Sequence, residues 1–392
     1  MKASTRTILV ATCAGGLEAI LAGEIREIGW TVVSEETGAV RFTAEGLQTV
    51  NEAVAGANLR LRTASRVLMP LVQGPVQSFD ELYRLARRVP WVSHIPITHS
   101  FSITAVTRSR KLRDHRFAAL RVKDAIVDAQ RRATQNRSNI DRQKPDVPVV
   151  VFISEESAEV SLDTSGAPLH ERGYRREAVE APLRETLAAG LLLLAGFRAD
   201  RPLLDPFCGS GTIVIEAALL SKGIAPGSFR DDFAFLRWPG ANPSAFLRLQ
   251  ESLRASHMQE PPIPIRGQDI DSTAIRIAER NAGRAGIRED IELDVADFFS
   301  GPPDPPGNAP GIIVTNPPYG ERMEVGDAGR LYKQLGDTLK QHYGGWTAWI
   351  LSANSQAMKQ LGLRVSARLP VFNGGLESRL YRVDLYPPSR ST

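Results

Sequence analysis

Cysteine is nearly absent from this chain: Cys13 and Cys208 are the only two among 392 residues. They stand far apart and match no metal-ligand spacing, so neither a disulfide framework nor a thiolate metal site is expected, and a reducing compartment is. Long apolar runs are missing too. The longest surrounds Leu191–Ala195 and falls far short of the ~20 residues that a membrane-spanning helix requires. The opening residues, Met1-Lys2-Ala3-Ser4-Thr5-Arg6, run into a short strand-like segment instead of an apolar signal core. Secretion and membrane insertion are not expected, and the expected location is the cytoplasm. Two nucleotide-binding fingerprints are also incomplete. After Gly209-Ser210-Gly211 no third glycine completes Gly-x-Gly-x-x-Gly, and no lysine follows as in a P-loop. Cys208 lies inside that turn without a plausible histidine partner, which argues against a cysteine nucleophile.

What is present is a globular composition, 42% hydrophobic and 23% charged, on a chain too long for one ordinary core. Two or three domains are expected. The first 70 residues read as β-α-β-β-α-β, with a helix over 16–28 whose apolar positions step by three and four and which ends at Gly29. That order suggests a small ferredoxin-like α+β unit. Phe79–Arg88 is amphipathic, and Ser100–Thr107 alternates as a strand does.

The most basic tract follows. Between Arg108 and Lys144 stand twelve arginines and lysines against four aspartates, although the whole chain carries a net charge of only +4. Ala119, Val122, Ile126, Ala129 and Ala133 step helically through it, giving one packed face and a basic remainder. Such a remainder is either a solvated helix face or a surface for phosphates, the sequence-independent part of nucleic-acid affinity. Aromatic residues are not interleaved, so base stacking on the tract is not indicated.

From residue 203 to 351 strands and helices alternate, which implies a parallel, doubly wound sheet, and a last hairpin around Asn373-Gly374-Gly375 adds an antiparallel strand. A proline-rich linker, 301–311, reads as a surface loop. In such a sheet ligands bind beyond the carboxyl ends of the strands. Four strand ends carry chemistry: Asp205 with Gly209 and Gly211; Asp269 and Asp271; Asp297; and Asn316-Pro317-Pro318-Tyr319. Each aspartate alone could be a cap or turn residue, yet all stand at successive strand ends. A carboxylate of the Asp269 and Asp271 pair could accept both ribose hydroxyls of an adenosine, and Asp297 is placed to accept from an adenine amine. In the tetrapeptide, the Asn316 side-chain oxygen and the Pro317 carbonyl are both acceptors and suit a planar amino group with two N–H donors. Tyr319 offers a ring on which the base could stack. No metal is required.

These stretches, with Ala11-Thr12-Cys13-Ala14-Gly15-Gly16-Leu17-Glu18, Val122–Asp128 and His170-Glu171-Arg172-Gly173-Tyr174-Arg175, resemble the class I S-adenosylmethionine-dependent RNA methyltransferases that carry a ferredoxin-like and a THUMP domain. The bacterial 23S rRNA guanine-N2 methyltransferases are the nearest resemblance and the tRNA guanine-N2 enzymes the next. The resemblance implies a ferredoxin-like domain over 1–65, a THUMP RNA-binding domain over 66–165, and a Rossmann-like methyltransferase domain over 166–392. It implies that Asp205, Gly209 and Gly211 hold the methionine end of S-adenosylmethionine, Asp269 the ribose and Asp297 the adenine. Asn316, Pro317 and Tyr319 would hold a flipped guanine, and the helix expected from Pro182 would flank the methionine. Phe207 stands where relatives often have methionine. Some relatives bear a second methyltransferase domain, so a chain of this extent is expected to perform one methylation. RNA, either rRNA or tRNA, is the expected partner. A DNA adenine-N6 or protein glutamine methyltransferase would share Asn-Pro-Pro-Tyr, and a non-catalytic RNA-binding factor would share the basic half.

Overall fold

The structure, a computed structural model, describes residues 7–44, 49–177, 183–255, 263–301, 310–318 and 327–386. Two compact units divide the chain. The first comprises residues 1–12, 22–169 and 230–252; the second comprises 13–21, 170–229 and 253–392. Among the described residues no helix is long and apolar enough to cross a membrane.

The first unit is built on one seven-stranded sheet in the order β2-β3-β1-β4-β7-β6-β5. Its opening elements are β1 (Ile8–Thr12), α1 (Glu18–Glu27), β2 (Thr31–Glu36), β3 (Ala39–Thr43), α2 (Val50–Arg60) and β4 (Arg66–Pro75). That is the β-α-β-β-α-β order expected. β4 starts at Arg66, because α2 runs on to Arg60, where its last turn closes through Leu61 N to Ala57 O. α3 (Phe79–Ala86), α4 (Trp91–His94), β5 (Phe101–Thr107), α5 (His115–Thr134), β6 (Val147–Ile153) and β7 (Ser157–Asp163) follow. β4 pairs antiparallel with β1 on one side and with β7 on the other, so the two halves share a continuous sheet. The 20-residue α5 starts where Asp114 accepts from the amides of Arg116 and Phe117, a side-chain cap for otherwise orphaned donors. Its buried face, with Val122 and Ile126, packs on Phe101 and Val149.

Residues 230–252, which lie in sequence between the glycine turn and Asp269, also belong to this unit. They run from Arg230 into α8 (Pro243–Ala255). The Arg230 guanidinium donates to the carbonyls of Ser165, Ala167 and Pro168 and lies 4.6 Å from the Phe233 ring centroid. Phe233, Phe235 and Phe246 pack together beside it.

The second unit holds the other seven-stranded sheet, in the order β10-β9-β8-β11-β12-β14-β13. Its elements are α6 (Glu185–Leu194), β8 (Leu203–Asp205), α7 (Thr212–Ser221), β9 (Ile265–Asp269), α9 (Ser272–Arg284), β10 (Glu292–Val295), β11 (Ile312–Thr315), α10 (Asp327–His342), β12 (Thr347–Ser352), α11 (Ser355–Met358), β13 (Val365–Asn373) and β14 (Leu376–Asp384). The first five strands are parallel, and the hairpin inserts β14 antiparallel between β12 and β13. The chain winds outward from β8 to β10, then crosses back to β11. Strand order therefore reverses between β8 and β11, which is where such sheets open a crevice. α9 is capped by Asp271, which accepts from Thr273 N at 2.7 Å. The residues expected to form most of the proline-rich loop, 302–309, and the expected helix start at Pro182 lie outside the described residues.

Candidate functional site

The switch point is organised by Asp205, the last residue of β8. It is 1% exposed, and its Oδ1 accepts from Thr315 Oγ1 at 2.7 Å and from Phe207 N at 3.2 Å. Thr315 ends β11, so this bond ties together the two strand ends where the order reverses. Burial pushes the Asp205 carboxyl up to about 7; the Thr315 and Phe207 hydrogen bonds oppose that rise, and the charge of Asp269 adds to it.

The glycines make the turn after Asp205 possible. Gly211, the residue before α7, has φ +82°, and a Cβ there would come 3.0 Å from Ala278 Cβ. Gly209 is also left-handed, at φ +53°. The turn is fastened to the end of β9: Cys208 N donates to Gln268 O, and Gly209 N donates to Asp269 Oδ2 at 2.9 Å. Asp269 Oδ1 accepts from Asp271 N at 2.9 Å. Each Asp269 oxygen thus uses one lone pair on the backbone and keeps another for a ligand. Cys208 itself is buried, and burial next to Asp205 and Asp269 raises its thiol pKa well above the ordinary value. A thiol held protonated is a poor nucleophile.

Asp297, after β10, is exposed and accepts from Phe299 N at 3.0 Å, capping a turn of 3₁₀-helix over Phe298–Ser300. At the end of β11 the Asn316 Oδ1 atom is buried and accepts no hydrogen bond from a described residue. An acceptor stripped of water and left unbonded is costly, and Asn316 is among the residues that line a cavity. Tyr319 lies outside the described residues.

That cavity, about 440 Å³, is lined by Asp205, Gly209, Asp269, Asp297 and Asn316, five of the eight residues singled out from sequence. Gly211 stands behind the lining and shapes the turn, while Pro318 reaches the cavity and Pro317 is buried. Sequence reasoning missed the apolar part of the wall. Ile270 is 72% exposed, and Phe298 and Phe299 close on Phe207 with centroids 5.8 and 5.9 Å away. The signal was present: an apolar residue directly follows Asp269 after β9 and Asp297 after β10. The wall offers carboxylates for hydroxyls, amines or a positive centre, and apolar side chains for a flat ring. These are the demands of an adenosine bearing a cationic tail.

The connector 170–177 braces the wall from behind. Tyr174 Oη donates to Glu216 Oε1 at 3.0 Å, and Arg172 Nε donates to the same oxygen at 3.4 Å. Arg175 donates to Glu185 Oε2 and to the carbonyl of Leu183, which lines the cavity. Burial raises Glu185 to about 7, against the pull of Arg175. Asn281 Nδ2 donates to Glu177 O and to Ser210 O, joining connector, α9 and glycine turn.

Comparison with known proteins places this arrangement. Residues 172–382 match the family model for an RMKL-like methyltransferase domain, 76–163 that for a THUMP domain, and 8–68 that for an RlmL ferredoxin-like domain. A Synechocystis protein, a candidate RNA methyltransferase by name, is 38% identical over 96% of both chains. The ribosomal RNA large subunit methyltransferase K/L of Syntrophotalea carbinolica is 39% identical over 96% of this chain but only 53% of its own. The chain therefore spans about half the length of that relative. A candidate methyltransferase crystallised with S-adenosylhomocysteine superposes with a TM-score of 0.84 at 28% identity, covering 97% of this chain and 98% of the other.

Proposed function

Because the chain belongs to the RMKL-like methyltransferases that carry a THUMP domain, we propose that it uses S-adenosylmethionine to methylate the exocyclic N2 of a guanine in large-subunit ribosomal RNA. The observation that carries this reading is the unbonded, buried Asn316 Oδ1 at the cavity wall. An amino group is the natural partner of an acceptor so placed.

The bound cofactor would supply an electrophilic methyl group. Asp205 and Gly209, in the turn that Gly211 shapes, would hold its methionine end, Asp269 its ribose and Asp297 its adenine amine, with Ile270 and Phe298 beside the ring. Asn316, the Pro317 carbonyl and Tyr319 hold the base. Two acceptors in the plane of the amine fix its N–H bonds and aim its lone pair at the methyl, so positioning and fixed dipoles carry most of the catalysis. The base must leave its stack to reach the pocket. In this reading 1–65 and 66–165 grip RNA and 166–392 transfers the methyl.

Asp205 supplies a pH signature. Its carboxyl, pushed up to about 7, must lose its proton to pair with a cationic ligand. Donor affinity should therefore rise as pH increases toward 7, by up to about tenfold per unit below that pKa, and level off above it. Calorimetric titration with S-adenosylmethionine at several pH values reads this, and Asp205→Asn should flatten the profile. A wild-type affinity independent of pH between 5 and 8 would remove Asp205 from the cation's surroundings.

Incubation with a methyl-labelled donor and separate rRNA and tRNA pools, followed by digestion to nucleosides, tests the whole reading. N2-methylguanosine from 23S rRNA is expected. The same nucleoside from tRNA alone would move the substrate; label only in N6-methyladenine, or in no RNA, would overturn the reaction.

A further inference from the structure

We propose that Thr315 is a positioning residue that couples the two sides of the site: its hydroxyl holds the Asp205 carboxylate on the donor side, and its backbone carries Asn316 on the acceptor side. The proposal deepens the reading above and rests on it for what each side holds.

The sheet divides where the crevice opens. On one side Asp205 is paired in parallel with Gly267 of β9. On the other, Thr315 is paired in parallel with Ile350 of β12. Between them the ladder of β8 and β11 joins only Leu203 to Ile312 and Leu204 to Ile313. Past those pairs the strands part. Among the described residues one hydrogen bond then spans the opening, Thr315 Oγ1 donating to Asp205 Oδ1 at 2.7 Å. β11 reads Ile312-Ile313-Val314-Thr315 and is buried throughout. Valine at its end would pack as well, so the hydroxyl needs its own account.

Both partners are committed. The Thr315 hydroxyl has one proton and gives it to Asp205. Asp205 Oδ1 takes that proton and the Phe207 amide, so Oδ2, which accepts from no described residue, is the oxygen left to the cavity that Asp205 lines. A carboxylate pinned through one oxygen presents the other in a fixed direction, as pairing with a cationic ligand requires. The titratable groups beside Asp205 are Asp269, at the end of β9, and the Cys208 thiol; β11 brings no charge, and no described cation pairs with Asp205. The Thr315 and Phe207 bonds are therefore what favours its charged form against burial. A bound cation keeps Asp205 charged, and a charged acceptor grips the Thr315 hydroxyl more strongly than a neutral one. The donor thereby closes the opening and fixes the next residue, Asn316. Coupling of this kind is reciprocal, so a base on Asn316 tightens the hold on the donor.

The test compares Thr315→Val, which keeps the shape of the side chain and suits a strand, with Thr315→Ser, which keeps the hydroxyl. Two measurements on the full chain need no RNA. In calorimetric titrations with S-adenosylmethionine from pH 5 to 9, Thr315→Val should move the midpoint of the affinity rise from about 7 to about 8. Affinity at pH 7 then falls about fivefold and is largely regained by pH 9, while Thr315→Ser stays with the wild type. In hydrogen exchange, S-adenosylhomocysteine should slow the amides of residues 312–316 about fivefold or more in the wild type and Thr315→Ser, and not in Thr315→Val. Residues 265–269 should be slowed in all three. An unmoved midpoint, a loss of affinity equal at every pH, or a loss that Thr315→Ser shares would overturn the proposal, because poor packing alone acts that way. So would equal slowing of 312–316 in Thr315→Val and the wild type. Methyl transfer to RNA by the wild type is scored separately: its absence would sink the reaction proposed above and leave both results for Thr315 standing.

Discussion

Asn316→Ala should bind S-adenosylmethionine with an affinity within about twofold of the wild type and lose methyl transfer by a factor on the order of 10²–10³. The prediction follows from where Asn316 Oδ1 stands: buried, without a hydrogen bond from any described residue, at the end of β11 beside the cavity. A side chain retained for folding would be bonded. An acceptor held dry and idle weakens the resting protein by about 1–3 kcal/mol, and such a residue persists because it meets its partner during the reaction. The melting temperature of Asn316→Ala should accordingly stay level or rise, against the usual cost of a buried truncation. Calorimetry with the donor, single-turnover transfer to RNA and a thermal melt together separate the alternatives. Unchanged turnover would take Asn316 out of the mechanism. A fall in stability together with donor affinity would make it a structural residue.

The polar residues at the strand ends were legible because they follow apolar runs: Leu203-Leu204 before Asp205, and Ile312-Ile313-Val314 before Thr315 and Asn316. A parallel sheet buried on both faces writes itself as such runs, and its ligand site lies at their carboxyl ends. What Asp269 does was only half legible. Its role as a ligand follows from position, but its grip on the amides of Gly209 and Asp271 is a backbone contact that no side-chain pattern records. The cap of α9 illustrates a finer limit. Asp271 and Ser272 are both good caps, and only the backbone decides between neighbours; here Asp271 is extended, at φ −86° and ψ 108°. The helix over Pro243–Ala255 is legible in the spacing of its residues, but nothing in the composition of the segment from Arg230 to Ser252 assigns it to the first unit. Its attachment is made by one guanidinium on three carbonyls and a group of phenylalanines, contacts between residues distant in sequence. The apolar wall of the site was missed for another reason. Exposed Ile270 breaks the rule that large apolar residues seek the core, and a break of that kind becomes visible only when burial is known.

Glu216→Ala should destabilise the second unit by about 3–5 kcal/mol, a large part of what holds an ordinary domain together. Glu216 is 0% exposed on α7, and its carboxylate accepts from Tyr174 Oη and Arg172 Nε, both also buried. Burial beside Glu216 raises the Tyr174 phenol well above its ordinary pKa, so it stays a donor. Removing the carboxylate leaves a guanidinium and a hydroxyl in the interior with their shared acceptor gone. Whether the network stabilises the fold or only fixes its geometry is decided by a second variant. Arg172→Met/Glu216→Leu exchanges the ion pair for apolar groups of similar volume, a change that is often neutral or better for stability. That double variant should recover most of the lost stability in a denaturant melt followed on the second unit. Donor affinity should recover less. The connector that carries Arg172 also carries Arg175, which holds the Leu183 carbonyl at the cavity wall, and an apolar pair sets no direction for that connector. Stability and donor affinity returning together would show that packing alone positions the wall. A Glu216→Ala cost below about 1 kcal/mol would mean that the buried charges are balanced by other partners, and that the brace lies elsewhere.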